Sequence, residues 1–334
     1  MEFAELAAIA GAHAEARAIQ VALKLGVFEA IGEHPVSAAD LARVLGSDPR
    51  TTEVLANAVV ALGLLELDGP GGRYSLSAAS HRFLVKSSPE YLGGLILFDE
   101  AIFPLWSSLE AAVRSGRPAR TPDMFQNDPA ETERFIRAMD SLTRARGDAL
   151  WVAENLDLRG ARTIADLGGG PGTYLAALIR KFPAAAGEIW DLKATLEVAR
   201  KILAEREPEA AARIRLRPVD YLKGELPGPV DAIFISNIIH SETAAANSEL
   251  MRKCFRSLAR GGTIVVKDHV MNRELTHPRS GAVFSLYLML TTRGRDYSFE
   301  EISGWLGNAG FTGLRRKELP SPPFSSSLVI ASRP

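Results

Sequence analysis

The sequence predicts an α/β protein: a parallel-dominated sheet with helices on both faces, preceded by a smaller, mainly helical unit. Three observations carry that expectation. From Thr163 onward short apolar runs alternate with segments of helical period, the pattern of a parallel sheet with crossover helices. A knot of glycines, Gly168 to Gly172, joins the first of these runs to the first of these helices. Before residue 80 the order is instead helix, turn, helix, hairpin, a winged-helix arrangement.

Taken in order, residues 1–33 show helical patterns ending in LKLGVFEAIGE. Ser37 and Asp40 form a start resembling a capping box for a short helix closed by Gly46. Asp48 caps the next helix, with Pro49 at its first position and RTTEVLANAVVALGLL continuing it. LLELDGPGGRYSLS then reads as two short strands about a Gly-Pro-Gly-Gly turn. A winged helix suggests DNA binding, but the second helix carries only Arg50, balanced by Glu53, among Val, Leu and Ala. A groove-reading helix is basic and polar on one face. A basic surface on residues 37–80 would be needed, and Arg43, Arg50, Arg73, His81 and Arg82 against Glu33, Asp40, Asp48, Glu53, Glu66 and Asp68 do not supply one. The apolar helices of residues 1–33 and 48–65 are expected to pack against a second copy instead. Residues 89–150 read as helical. The boundaries expected are 1–100 for the dimerisation unit and 101–334 for the larger domain, with 101–155 as a helical connector. Beyond it come TIADLG, a helix over 173–181, GEIWDL, a helix over 194–206, RIRLRPVD, DAIFISNIIH, a helix over 243–259 and TIVVKDHV. A last helix, Phe299–Gly307, and a closing strand, SSSLVIASRP, complete the chain.

Bulk properties bound the function. The 334 residues are 46% apolar and 24% charged with net charge −1, so no general attraction to nucleic acid or anionic lipid is implied. A single cysteine, Cys254, excludes an internal disulfide framework and a cysteine-based metal cluster. No apolar run approaches the ~18–20 residues of a membrane span, and the acidic, helical amino terminus does not read as a signal peptide. The expected location is the cytoplasm.

The glycine turn narrows the ligand. A dinucleotide fingerprint needs G-x-G-x-x-G; here Gly168 and Gly170 fit, but Thr173 stands at the third position. No Lys-Ser/Thr pair follows, which excludes a P-loop. The run is an acid, Asp166, at a strand end, followed by G-x-G-x-G. Asp191 ends the next strand, 19 residues past Gly172, where a carboxylate can bond both hydroxyls of a ribose. Asp220-Tyr221 follows the third strand and offers an acceptor for an adenine amino group and a ring to stack on the base.

These residues, with LGVFEAIGE, IADLGGGPGTY, RPVDY, SNIIHSE, CFRSLARGGTIVVKDHV and MLTTRGRDYSFEEISGWLGNAGF, resemble the S-adenosylmethionine-dependent small-molecule O-methyltransferases. These are the plant caffeate and flavonoid type and the bacterial antibiotic and pigment type, with an N-terminal winged-helix dimerisation domain. The resemblance implies a Rossmann-like class I methyltransferase domain and a homodimer. S-adenosylmethionine has no pyrophosphate; its amino-acid end and ribose lie against glycine backbone that must approach closely. The resemblance implies that Asp166, Gly168 and Gly170 line this end, that Asp191 holds the ribose and Asp220 and Tyr221 the adenine, and it adds Ser236 to the cofactor set. S-adenosylhomocysteine is then the product, and no metal is expected.

Methyl transfer to a phenol needs a base, because a hydroxyl of pKa ~10 is a poor nucleophile at neutral pH and histidine, at ~6.5, is suited to help. His240 is the one of six histidines at a strand's carboxyl end. The resemblance makes it the base, with Asp268 and Asp296 flanking it to orient the ring and stabilise the imidazolium. Taken without it, His240 is a turn residue, Asp268 a partner of Lys267 and Asp296 a partner of Arg293 or Arg295. His269 is the nearest alternative base and His13 a remoter one. Where the family carries an acid and a tryptophan after the base, this chain has Ser241-Glu242, and where many members have Leu-Pro after the ribose acid it has Leu192-Lys193. Phe135 and Met139, with Tyr287, Met289 and Leu290, are expected to roof a pocket for a flat, largely apolar hydroxyl acceptor. The competing readings are a C- or N-methylating or non-methylating relative, a ligand-sensing DNA-binding protein, and a nicotinamide-dependent dehydrogenase, which fails on Thr173.

Overall fold

Residues 1–319 and 326–334 are described by the computed structural model, which divides into two units, Met1–Phe103 and Pro104–Pro334. In the first, the helix Phe3–Leu25 ends at Gly26 in the left-handed region (φ 83°), which only glycine adopts without cost, and a short helix Val27–Ile31 follows. Ser37 Oγ accepts from the Asp40 N–H at the start of the helix Ala38–Leu45, and Asp48 from the Thr51 N–H at the start of Pro49–Ala61. Strands β1 (Leu65–Leu67) and β2 (Tyr74–Leu76) pair antiparallel. Phe28, Leu41, Ala56, Val59 and Leu65 fill this unit's core. The first helix buries only its end: Phe3, Leu6 and Ile9 remain 86%, 58% and 44% exposed.

The second unit opens with helices Leu109–Ser115, Pro129–Arg146 and Asp148–Asn155. Its sheet comprises β3 (Thr163–Leu167), β4 (Ala186–Asp191), β5 (Ile214–Pro218), β6 (Val230–Ser236), β7 (Leu258–Asp268), β10 (Thr312–Glu318) and β11 (Ser327–Ser332). Between them β8 (Val270–Met271) and β9 (Tyr297–Ser298) form a separate two-residue pairing. The sheet order is β10-β11-β7-β6-β3-β4-β5, with β11 antiparallel to both its neighbours and the rest parallel. The chain runs outward from β3 through β4 to β5, then crosses back to β6. The switch point therefore lies between β3 and β6, where open α/β sheets bind ligands at the carboxyl edge. Both faces are packed: Ile164, Phe234 and Val265 against Leu175 and Ile179 on one, and Leu167, Ile233 and Val266 against Met251 and Cys254 on the other.

Two boundaries near the site differ from the sequence expectation. The run DAIFISNIIH stops being a strand at Ser236; Asn237 (φ 56°) turns the chain into a short 3-10 turn, Ile239–Ser241, that carries His240. The helix expected over 243–259 spans Ala244–Ser257, and β7 begins at once, with a register shift against β6 and Gly261 at φ 78°. The expected closing strand begins with Ser325, which lies outside the described residues. No helix among the described residues is long and apolar enough to cross a membrane.

Candidate active site

The turn after β3 is shaped by packing from below and by open space above. Gly168 (φ 65°) has Ile238 where a methyl would go, and a methyl on Gly172 (φ 79°) would lie 2.6 Å from Ile189 Cδ1. Gly170 (φ 52°) faces open space; its N–H donates to Asp191 Oδ2 at 2.9 Å, while the Leu192 N–H donates to Asp191 Oδ1 at 2.6 Å. Thr173, where a dinucleotide turn needs its third glycine, donates its hydroxyl to buried Asp140 at 2.7 Å. That position is built for a helix contact and not for a pyrophosphate.

Above the turn lies a cavity of about 470 Å³. Asp166, Gly168, Gly170, Asp191, Asp220, Tyr221 and Ser236, the expected cofactor residues, all line it, as do Phe135 and Met139. Tyr287 and Met289 do not line it, and Leu290 is fully buried. The helix Arg279–Thr291 turns Phe284 toward the histidines instead, and Tyr287 stacks on Phe284 at 5.4 Å. Arg146, Tyr174, Glu242 and Arg293 also line the cavity and were not singled out by sequence. Lining residues scattered over separate segments with no periodic pattern give no sequence signal. Glu242 alone had one, as a departure from the family pattern.

The cavity's electrostatics fit a cationic ligand. Asp166 is 1% exposed, and among the described residues neither of its oxygens accepts a well-formed hydrogen bond. Burial first, and Asp191 second, push its carboxyl up to about 8, with the Leu175 N–H opposing. Burial likewise lifts Asp191 to about 6, against the Gly170 and Leu192 N–H groups. Among the described residues Ser236 Oγ is buried without a hydrogen-bond partner. An ammonium or sulfonium would compensate these carboxyls; a phosphate would not.

Beside the cavity, β6, β7 and the segment before β9 bring four groups together. His240 Nδ1 lies 2.7 Å from Asp268 Oδ1 and 3.8 Å from Asp296 Oδ1. Asp268 Oδ1 also accepts the His269 N–H at 2.9 Å, and His269 Nδ1 lies 3.5 Å from Asp296 Oδ2. All four residues are buried, and the Phe284 ring stands edge-on to both imidazoles, 5.4 and 5.2 Å away. Among the described residues neither the strand-end pair of Asp268 with Lys267 nor the turn pair of the Asp296 carboxylate with Arg293 or Arg295 forms. Lys267 lies 3.5 Å from Asp148, and Arg295 bonds Glu301 and the Asp296 carbonyl. Asp296 is held in place because β9 pairs with β8, the Tyr297 hydroxyl donates to the Glu242 carbonyl at 2.6 Å, and Gly294 fits against the backbone of His240 and Glu242.

Burial disfavours the charged His240 ring, but Asp268, then Asp296, outweigh it and raise its pKa. Asp268 is buried too, yet the two imidazoles hold it below the usual carboxylate value; burial pushes Asp296 up. With Nδ1–H donated to Asp268, Nε2 keeps its lone pair, the tautomer of a base. The donor atoms of His240, Asp268 and Asp296 lie within 4.8 Å of one another, but the 2.7 Å contact is that of an imidazole–carboxylate hydrogen bond. His240 does not itself line the cavity, whereas Ile238 and Ser241 on either side of it do. His13 sits exposed on the first helix, bonded to the Ala10 carbonyl.

Comparison with known proteins adds to this geometry. Residues 106–312 match the O-methyltransferase domain, and residues 8–86 the O-methyltransferase dimerisation domain. The 3-hydroxy-5-methyl-1-naphthoate 3-O-methyltransferase of Streptomyces sahachiroi is 31% identical over 307 residues, 91% of this chain and 88% of that one. The acetylserotonin O-methyltransferase of Bos taurus is 28% identical over 88% of each chain. The crystal structure of human N-acetylserotonin methyltransferase in complex with SAM shares the fold, with TM-score 0.89 over 100% of this chain and 98% of that one at 21% identity.

Proposed function

Because the chain belongs to the S-adenosylmethionine-dependent O-methyltransferase family, we propose that it methylates a hydroxyl of a small aromatic acceptor with His240 as general base. The observation that carries this is the buried His240–Asp268 pair at 2.7 Å, placed between cavity-lining residues 238 and 241. S-adenosylmethionine supplies the methyl as an electrophile on a sulfonium. Asp166, Gly168, Gly170 and Ser236 are assigned to its amino-acid end, Asp191 to the ribose, and Asp220 and Tyr221 to the adenine. His240 Nε2 takes the acceptor's hydroxyl proton as the oxygen becomes nucleophilic. Asp268 holds the Nδ1–H and, with Asp296, stabilises the imidazolium that forms. The edge of Phe284 against His240, and Phe135 and Met139 in the cavity lining, support a flat apolar acceptor. The name of the Streptomyces relative, a hydroxynaphthoate methyltransferase, points to the same class.

We assign residues 1–100 to a dimerisation domain, 101–155 to a helical connector and the remainder to catalysis. The working state is a homodimer in the cytoplasm, where the buried thiol of Cys254 stays reduced. Calorimetric titration with S-adenosylhomocysteine, with NAD as control, tests the cavity. Turnover of His240→Ala on an acceptor found among phenols, catechols and quinols tests the base. Micromolar affinity for the sulfur ligand, none for NAD, and turnover lowered by about 10²–10⁴-fold in the variant are expected. Full turnover in His240→Ala would move the base elsewhere, with His269 next.

A further inference from the structure

Glu242 lines the cavity but has no part in the proton transfer. It is 7% exposed, and its Oε1 accepts from the Tyr221 hydroxyl at 3.0 Å. Among the described residues no other hydrogen bond reaches its carboxylate. Its backbone is pinned: Tyr297 donates to its carbonyl, Asn247 Nδ2 lies 3.4 Å from the same oxygen, and Gly294 packs against its N and O. The other carboxylate near Tyr221 is already engaged. Asp220 Oδ1 accepts from the Leu222 N–H at 3.1 Å, and Oδ2 pairs with Lys223 at 2.9 Å at a side chain that is 32% exposed. Of the two, Glu242 is the buried, fixed and half-satisfied acceptor.

We propose that Glu242 is the residue by which this enzyme reads the base of its cofactor. With Oε1 tied to Tyr221, its free oxygen accepts from the exocyclic amino group of adenine. The proposal rests on the reading that puts Asp220 and Tyr221 at the adenine end of the cavity. An ionised carboxylate only accepts, so it pairs with a 6-amino group and opposes a 6-oxo group. A desolvated site built on one such bond rejects the analogue that cannot make it far more strongly than an apolar wall would. Arg293, which also lines the cavity, helps keep Glu242 ionised against the burial that raises its pKa.

The test is calorimetric and needs no acceptor: titrate the full-length protein with S-adenosylhomocysteine and with S-inosylhomocysteine, its 6-oxo analogue. The wild type is expected to prefer the adenine ligand by at least about tenfold, or 1.4 kcal/mol. In Glu242→Gln the amide can still accept from Tyr221 and can also donate to a 6-oxo group, so the ratio falls toward unity while S-adenosylhomocysteine still binds. Glu242→Asp keeps the charge but withdraws the oxygen by one methylene, and the ratio falls there too. Asp220→Asn, at the other carboxylate of the adenine end, weakens both ligands while the preference for S-adenosylhomocysteine remains. An unchanged ratio in Glu242→Gln, or a ratio that collapses in Asp220→Asn instead, overturns the proposal. Absence of S-adenosylhomocysteine binding to the wild type would overturn the cavity reading itself, and this proposal with it.

Discussion

His240 is useful as a base only while neutral, and its carboxylate neighbours raise its pKa above the ordinary histidine value of 6.5. Turnover should therefore rise with pH through an acid limb that lies above an ordinary histidine's. Asp268→Asn removes the largest upward contribution, so the limb should move to lower pH while the plateau falls by about 10²-fold or more. A limb that stays in place in Asp268→Asn would show that another group titrates it. Asp166 gives a second pH prediction. Its folded value of about 8 stands above the ordinary aspartate value of 3.8, so its contribution to stability of the ligand-free protein declines as pH rises through that window. A cation bound beside it lowers the pKa again, so S-adenosylmethionine uptake at pH 7 should release up to about one proton. Calorimetry in buffers of unequal ionisation heat reads this directly; binding heats independent of buffer would mean that Asp166 is already ionised. These residues were legible to different degrees. Asp191 announces itself as a strand-end acid at a fixed distance from the glycines. His240, Asp268 and Asp296 lie on three separate segments, and nothing in their spacing brings them together; only likeness to a family does. Glu242 was visible as a departure, with no hint that its carboxylate would meet Tyr221.

At the scale of elements, the strand–turn–helix at β3 separates fold from function within five residues. Gly168→Ala combines a left-handed φ of 65° with a clash against Ile238, and should cost roughly 2–5 kcal/mol of stability. Gly170→Ala has the backbone strain alone, about 1–2 kcal/mol, because nothing lies within 4 Å of its added methyl. That methyl points into space the ligand needs, so Gly170→Ala should fold and lose about tenfold or more in S-adenosylhomocysteine affinity. Thermal denaturation beside calorimetry separates the two, and equal Tm losses would refute the distinction. The strand and helix pattern over 163–307 was readable because buried parallel strands are continuous apolar runs and their crossover helices are amphipathic. The helix Arg279–Thr291 shows where such reading stops. It is apolar all round, so its period does not say which face meets the site, and Tyr287 and Met289 were chosen where the structure turns Phe284 inward. A 3-10 turn of three residues, Ile239–Ser241, has no period to read at all.

At the scale of the whole molecule, the unsatisfied feature is the first helix. Phe3, Leu6 and Ile9 recur at helical spacing on Phe3–Leu25 and stay exposed, and Val54 on Pro49–Ala61 is 62% exposed. A helix that leaves such a stripe to water loses the burial that stabilises most helices, since propensity alone sustains few of this length. Ile9 and Val54 fall within residues 8–86, which match a dimerisation domain, and Phe3 and Leu6 continue the same helix just before it. Burying three large apolar side chains per copy contributes about 1.5–3 kcal/mol each, doubled by two-fold symmetry, enough to hold a dimer at micromolar concentration once association entropy is met. Light scattering at micromolar concentration should give twice the 36.1 kDa of the chain. Replacing Leu6 and Ile9 together by Asp places four buried charges in that contact and should halve the mass. Calorimetry on the same variant then asks whether the catalytic unit needs its partner. Every residue assigned to the cofactor lies between 166 and 242, within one unit, so S-adenosylhomocysteine affinity should survive the loss of the dimer. A monomeric wild type would contradict the assignment of this stripe. A dissociated variant that no longer binds the ligand would show that the cavity depends on assembly.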